Sequence, residues 1–245
     1  MANWQDPQTT GVNAATVSVP RAARDAGLRS YMLSVYNYMA SGVLLTGIIA
    51  LLFAPYAGQV LVGPNGGMSP LGWIVTLSPL AIVFAMSFGM NRMSTGTLQM
   101  LFWGFAALMG LSMSTLFLAF TGVSIAQTFF ATAAAYVGLS LYGYTTKRDL
   151  SGMGTFLIMG VVGLLVAMLI NLFLQSSAMA LAISAIGVLL FAGLTAYDTQ
   201  RIKSLYFYVQ GTEMMGKTVI MGALQLYLDF INMFQFLLSF MGDRR

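Results

Sequence analysis

Residues 154–174 read GTFLIMGVVGLLVAMLINLFL, a run with no charged residue. A helix needs about 20 apolar residues to cross the hydrocarbon of a bilayer. A barrel strand needs roughly ten, with alternating polarity. This run therefore reads as a membrane-spanning helix. Six further apolar segments of similar length flank it, at about 31–54, 71–90, 98–120, 123–143, 178–200 and 217–241. The chain is expected to be an all-α membrane protein.

Composition agrees. Apolar residues make up 58 % of 245 positions and charged residues 7 %, against roughly 25 % charged in a soluble domain. Mean hydropathy is +0.80. The chain contains no cysteine and no histidine. That excludes disulfides, thiolate metal sites, cysteine nucleophiles and imidazole chemistry. Asp and Glu are left as the groups able to titrate near neutral pH. No resident cofactor is expected. The basic residues lie in loops and read as topology signals, so no nucleic-acid partner is expected.

Residues 1–28 are polar, contain Pro7 and Pro20, and lack a signal-peptide pattern. They are expected to be a flexible cytoplasmic tail, with residues 29–245 forming the transmembrane domain. Basic and uncharged connections alternate. Arg21, Arg24 and Arg29 precede the first segment, Arg92 follows the second, and Lys147 and Arg148 follow the fourth. Arg201, Lys203 and Lys217 lie between the sixth and seventh, whereas the loops near 55–70, 121–122 and 175–177 carry no charge. The positive-inside rule then predicts a cytoplasmic N-terminus. A seventh span places Asp243, Arg244 and Arg245 on the far side, with a re-entrant seventh segment as the alternative. Ala106, Gly110 and Ser114, and likewise Gly160 and Gly163, are small residues expected at helix contacts. Trp73 is expected as an interfacial anchor.

Two aspartates stand out against this background. Asp198 and Asp229 lie inside the last two apolar segments. An ionisable side chain at membrane depth is costly and is tolerated where it faces a bundle interior, a cavity or a partner. Gln225, Asp229, Asn232 and Ser239 recur on one face of the seventh segment, joined by Gly222. Ser184, Gly187, Thr195 and Asp198 share a face of the sixth. Both stripes are predicted to turn inward and to face each other, with Gln225, Asn232 and Thr195 lining the space between. Two structural readings stand beside this one. Asp198 could pair with Arg201 or Lys203 one turn away, and Asp229 could be a buried hydrogen-bonding group.

Carboxyls that meet in this way titrate as a coupled pair. Neutralised at low pH, the pair closes by a hydrogen bond. Charged at higher pH, it separates or recruits a cation. Calcium takes 6–8 oxygens, and two carboxylates supply at most four. Asp198 and Asp229 would hold calcium transiently, as in a permeation path. Arg92 could reach inward as a latch on an aspartate, or could serve as a positive-inside anchor.

Three runs carry a family resemblance: SLYGYTTKRDLSG at 140–152, GLTAYDTQRIK at 193–203 and LYLDFINMF at 226–234. They resemble the Bax inhibitor-1 family in its bacterial branch, over residues 28–245. The resemblance implies a seven-transmembrane-helix bundle with the C-terminal helix central. It implies a pH-sensitive calcium leak channel of the bacterial inner membrane, gated by paired aspartates that fall on Asp198 and Asp229. It also offers Arg92 as the latch. Some bacterial relatives are instead linked to a membrane-anchored AAA protease, so an interaction protein that modulates such a protease is the alternative. An enzyme is not expected. Intramembrane diaspartyl proteases carry Gly-x-Gly-Asp at their second acid, whereas this chain has Leu226-Tyr-Leu-Asp229.

Overall fold

A computed structural model describes the backbone of residues 21–245 and the side chains from residue 25 onward. The described residues form eight helices: α1 (Arg21–Val60), α2 (Pro70–Gly89), α3 (Thr95–Met113), α4 (Leu116–Ala119), α5 (Gly122–Thr145), α6 (Ser151–Leu174), α7 (Ser177–Val209) and α8 (Met214–Met241). Seven spans long and apolar enough to cross a membrane result, α4 continuing α3 within the third. The break between them is local. The hydroxyls of Ser114 and Thr115 bond back to Leu111 O at 2.6 Å and Ser112 O at 2.8 Å, competing with the helical ladder.

The segments predicted from hydropathy are all present, but α1 and α7 overrun them. At 1.5 Å per residue, their 40 and 33 residues extend about 60 and 50 Å, beyond the ~30 Å of hydrocarbon. The two overhangs pack together: Leu28 and Tyr31 of α1 and Ile202 and Tyr206 of α7 are buried, with the tyrosine rings 5.5 Å apart. Residues 21–28, placed in the expected tail, are helical and belong to α1. The rest of the expected tail, residues 1–20, lies outside the described residues.

α8 is the central helix. It packs on α1, α3, α5 and α7, and 67 % of its most apolar window is buried, against 11 % for the peripheral α6. It runs through the bundle without re-entering. Lys217, near its start, donates to Met90 O at 3.2 Å at the α2 end. Beyond its other end, Asp243 N donates to Ser124 Oγ at 2.9 Å and Arg245 N to Ala119 O at 3.0 Å. The re-entrant alternative is thereby replaced by a full span.

Small residues set the helix spacing. Gly110 lies so close to α1 that a Cβ there would sit 2.8 Å from Thr46 O. Thr46 in turn donates to Ala106 O at 2.8 Å, so the expected Ala106–Gly110–Ser114 ladder is a real seam. Gly160 meets Leu190 of α7, but Gly163 has no neighbour within 4 Å where a Cβ would stand. Gly163 faces outward, a difference that hydropathy cannot show because both faces of α6 are apolar.

Candidate functional site

The site is built on antiparallel α7 and α8. Asp198 lies 11 residues before the last residue of α7, and Asp229 lies 15 residues after the first of α8. If these helix ends are level, the two Cα atoms differ in depth by about four residues, or ~6 Å. The Cα–Cβ bond of a helical residue tilts toward its own N-terminus. In antiparallel neighbours the two side chains therefore tilt toward each other, which closes that offset. Asp198 and Asp229 are near neighbours in the bundle core, and Gln225 lies beside Asp198. Both acids are 4 % exposed. Asp229 Oδ2 has no hydrogen-bond partner among the described residues.

The two expected stripes meet only in part. Asp198, Asp229 and Gln225 come together. Thr195 is fully buried, but its hydroxyl is satisfied by Phe191 O on its own helix at 2.8 Å. Asn232 donates to Leu228 O at 2.8 Å and lines a separate cavity of about 190 Å³ among α6, α7 and α8. Ser239 is exposed. Arg92 is exposed in the turn after α2, its N–H on Gly89 O at 2.9 Å, and forms no ion pair with either aspartate. Arg201, three residues after Asp198, is exposed. Lys203 is engaged elsewhere. It donates to Tyr144 O at 2.6 Å and lies 4.9 Å from the centre of that ring.

A third polar stripe was missed. Ser124, Thr128, Thr132, Tyr136 and Ser140 recur every four residues along α5, and all are buried. That i, i+4 ladder is legible in the sequence, but each member taken singly reads as an ordinary polar residue of an apolar helix. At its end Tyr136 lies beside Asp229, and Tyr36 of α1 turns its hydroxyl toward Ser140 and Thr199 without completing a bond to either. The hydroxyls of Tyr136, Ser140 and Thr199 are buried without partners, as is Asp229 Oδ2. Three hydroxyls without a protein partner thus gather around the acid pair and make a polar cluster in the bundle core.

Two of the three resemblance runs also bind each other. Gln200 accepts from Leu150 N and donates to Arg148 O, both at 2.8 Å, pinning the α5–α6 loop to α7. In that loop Asp149 Oδ1 accepts from Ser151 N at 2.9 Å at the start of α6. The hydroxyl and N–H of Ser151 hold the Asp149 carboxyl below its ordinary range.

An all-helical, seven-span membrane protein with two acids apposed in its core is the class that fold and site define. The chain belongs to the Bax inhibitor-1 family: the family model described as "Inhibitor of apoptosis-promoting Bax1" matches residues 28–245. It is 43 % identical to the inner membrane protein YbhL of Escherichia coli K12, over 90 % of this chain and 94 % of that one. It is 47 % identical to an uncharacterised protein of Rickettsia prowazekii, covering 90 % and 92 % of the two chains. A protein of Caulobacter vibrioides is 45 % identical, over 90 % and 91 %.

Proposed function

We propose that this chain is a pH-sensitive calcium (cation) leak channel of the bacterial inner membrane, gated by protonation of the Asp198–Asp229 pair. The observation that carries the reading is the apposition of two buried carboxyls on neighbouring helices, one with an orphaned oxygen. Two like charges at that separation in a medium of low polarity repel strongly. With a proton on the pair, one carboxyl donates to the other and α7 and α8 stay closed. With that proton gone, the pair separates or takes up a cation.

The donor set favours passage over storage. The two carboxylates offer four oxygens, and the Gln225 carbonyl adds a fifth where calcium takes 6–8. Water would complete the shell, so calcium is bound transiently, as the permeant ion and not a resident cofactor. The chain performs no catalysis in this reading. Its basic end, with Arg92, Lys147, Arg148 and Arg201, lies in the cytoplasm together with the N-terminus.

The test is calcium entry into liposomes holding the purified protein, between about pH 5 and 8. Flux in the wild type should vary with pH. Asp198→Asn and Asp229→Asn should each abolish that variation. Absence of flux at every pH from inserted, folded protein would remove the channel reading.

A further inference from the structure

α1 and α5 both pack on α7 and α8. Between them, along the basic half of the bundle, opens a groove of about 840 Å³. Met39 and Val43 form one wall, Ala133 and Val137 the other, and Phe230 the floor. Leu33, Leu44, Val137 and Leu141 on its lips are exposed, so the groove opens sideways into the bilayer.

Its polarity is ordered. Arg29 stands at the end nearest water and is exposed. Tyr36 follows seven residues on, about 10 Å deeper, and beyond it the α1 wall is hydrocarbon to Leu44. Arg29 to Leu44 is fifteen residues, about 22 Å of helix. One leaflet with its headgroup region is half of a 40–45 Å bilayer, also about 22 Å. Cation, hydroxyl and hydrocarbon thus succeed one another in the order of phosphate, ester and acyl chain.

The charge is also specific. Arg29 is the charged residue that lines this groove, whereas Lys203 is held on Tyr144 O and does not line it. Asp25, one turn before Arg29, is the acid closest in sequence, and it lines the cleft on the water side with Arg29. The two smaller apolar cavities, about 290 Å³ in the opposite half of the α1–α5 seam and 190 Å³ beside α6, have no charged lining residue. We propose that the α1–α5 groove binds one anionic phospholipid, its phosphate on Arg29 and an acyl chain between the two helices. Tyr36, Tyr136 and Ser140 line this groove and belong to the cluster around the acid pair. The bound lipid therefore covers the membrane side of that cluster. The site stands whether or not the pair conducts ions.

The native chain has no cysteine, so a single introduced one can carry a fluorophore. Val137→Cys reports the groove and Met159→Cys reports the outer face of α6. The two positions are 64 % and 68 % exposed, and each lies eight residues from the end of its helix at the basic end of the bundle. Brominated phosphatidylglycerol, as a minor component of phosphatidylcholine vesicles, should quench Val137→Cys as if enriched there roughly fivefold over Met159→Cys, the worth of one basic residue near an anionic headgroup. Arg29→Gln should erase the excess and Arg29→Lys should retain it. Equal quenching at the two positions overturns the proposal. So does the same excess with brominated phosphatidylcholine, or an excess that survives Arg29→Gln.

Discussion

Gly143 of α5 lies against the backbone of Ala196 on α7: a Cβ at Gly143 would stand 2.2 Å from Ala196 O. This contact fixes α5 beside Asp198, two residues along α7, and seats Ser140 and Tyr136 against the acid pair. Backbone cannot yield as a side chain tip can. Gly143→Ala should lower stability in detergent by about 1–3 kcal/mol, the usual cost of overpacking. Gly152→Ala is the matched control, because nothing lies within 4 Å of a Cβ there. Thermal unfolding of the two variants checks this, and an unshifted Gly143→Ala would mean that α5 and α7 are more loosely held.

Thr46 and Tyr227 should differ in cost although they share one hydrogen bond. Thr46 Oγ1 donates its single proton to Ala106 O at 2.8 Å, so in the 2.7 Å contact with Tyr227 the tyrosine is the donor. Tyr227→Phe removes that donor and leaves Thr46 satisfied, for about 0.5–1.5 kcal/mol. Thr46→Val orphans the fully buried Tyr227 hydroxyl and leaves Ala106 O with only its helical bond, which should cost about 1–3 kcal/mol. Equal losses in chemical denaturation would refute the assigned direction of donation.

Gln200 should protect the α5–α6 loop from proteolysis. Its two 2.8 Å bonds hold the backbone on either side of Asp149, next to Lys147 and Arg148. Gln200→Ala frees the loop, and tryptic cleavage after Lys147 or Arg148 should accelerate several-fold in folded protein. Gln200→Glu keeps an acceptor for Leu150 N but sets a carboxylate against Arg148 O, so it should behave like the alanine variant.

Asp149 should contribute nothing to pH sensing near neutrality. Ser151 depresses its folded pKa below the ordinary carboxylate value. A depressed carboxyl contributes stability that is full above the unfolded value, near 3.9, and is lost as pH falls through the folded value. Asp149 therefore stays ionised throughout the window of the flux assay. Asp149→Asn should leave the pH profile of calcium entry unchanged, and a displaced profile would move the sensor out of the bundle core.

How much of this was legible follows from what hydropathy measures. Uninterrupted apolar runs report contact with lipid, so seven spans were readable before any coordinate. The same signal is blind to faces where everything is apolar, which is why Gly163 was expected inside and lies outside. It also stops where lipid stops, hence the unforeseen overhangs of α1 and α7 around Tyr31 and Tyr206. Asp198 and Asp229 were visible because a charge in an apolar run is conspicuous. Tyr36, Tyr136, Ser140 and Thr199 were not, since hydroxyls are common in membrane helices and only tertiary packing gathers them.

Asp229 distinguishes a structural acid from a functional one. It is buried on the central helix, one of its oxygens is orphaned, and its neighbours are Asp198 and the unbonded Tyr136 hydroxyl. A carboxyl retained for stability would have both oxygens satisfied, and removing it would be destabilising by several kcal/mol. A carboxyl retained for gating carries an uncompensated desolvation penalty, and an apolar replacement relieves it. Gln225 still lies beside Asp198 when Asp229 is replaced. Asp229→Leu should therefore unfold at the same temperature as wild type or higher, equivalent to about 0–3 kcal/mol of added stability, while calcium entry loses its dependence on pH. Thermal unfolding and flux measured on the same preparation decide it. A variant that loses stability and keeps a pH-dependent leak would make Asp229 a structural hydrogen-bonding group and leave the gate elsewhere.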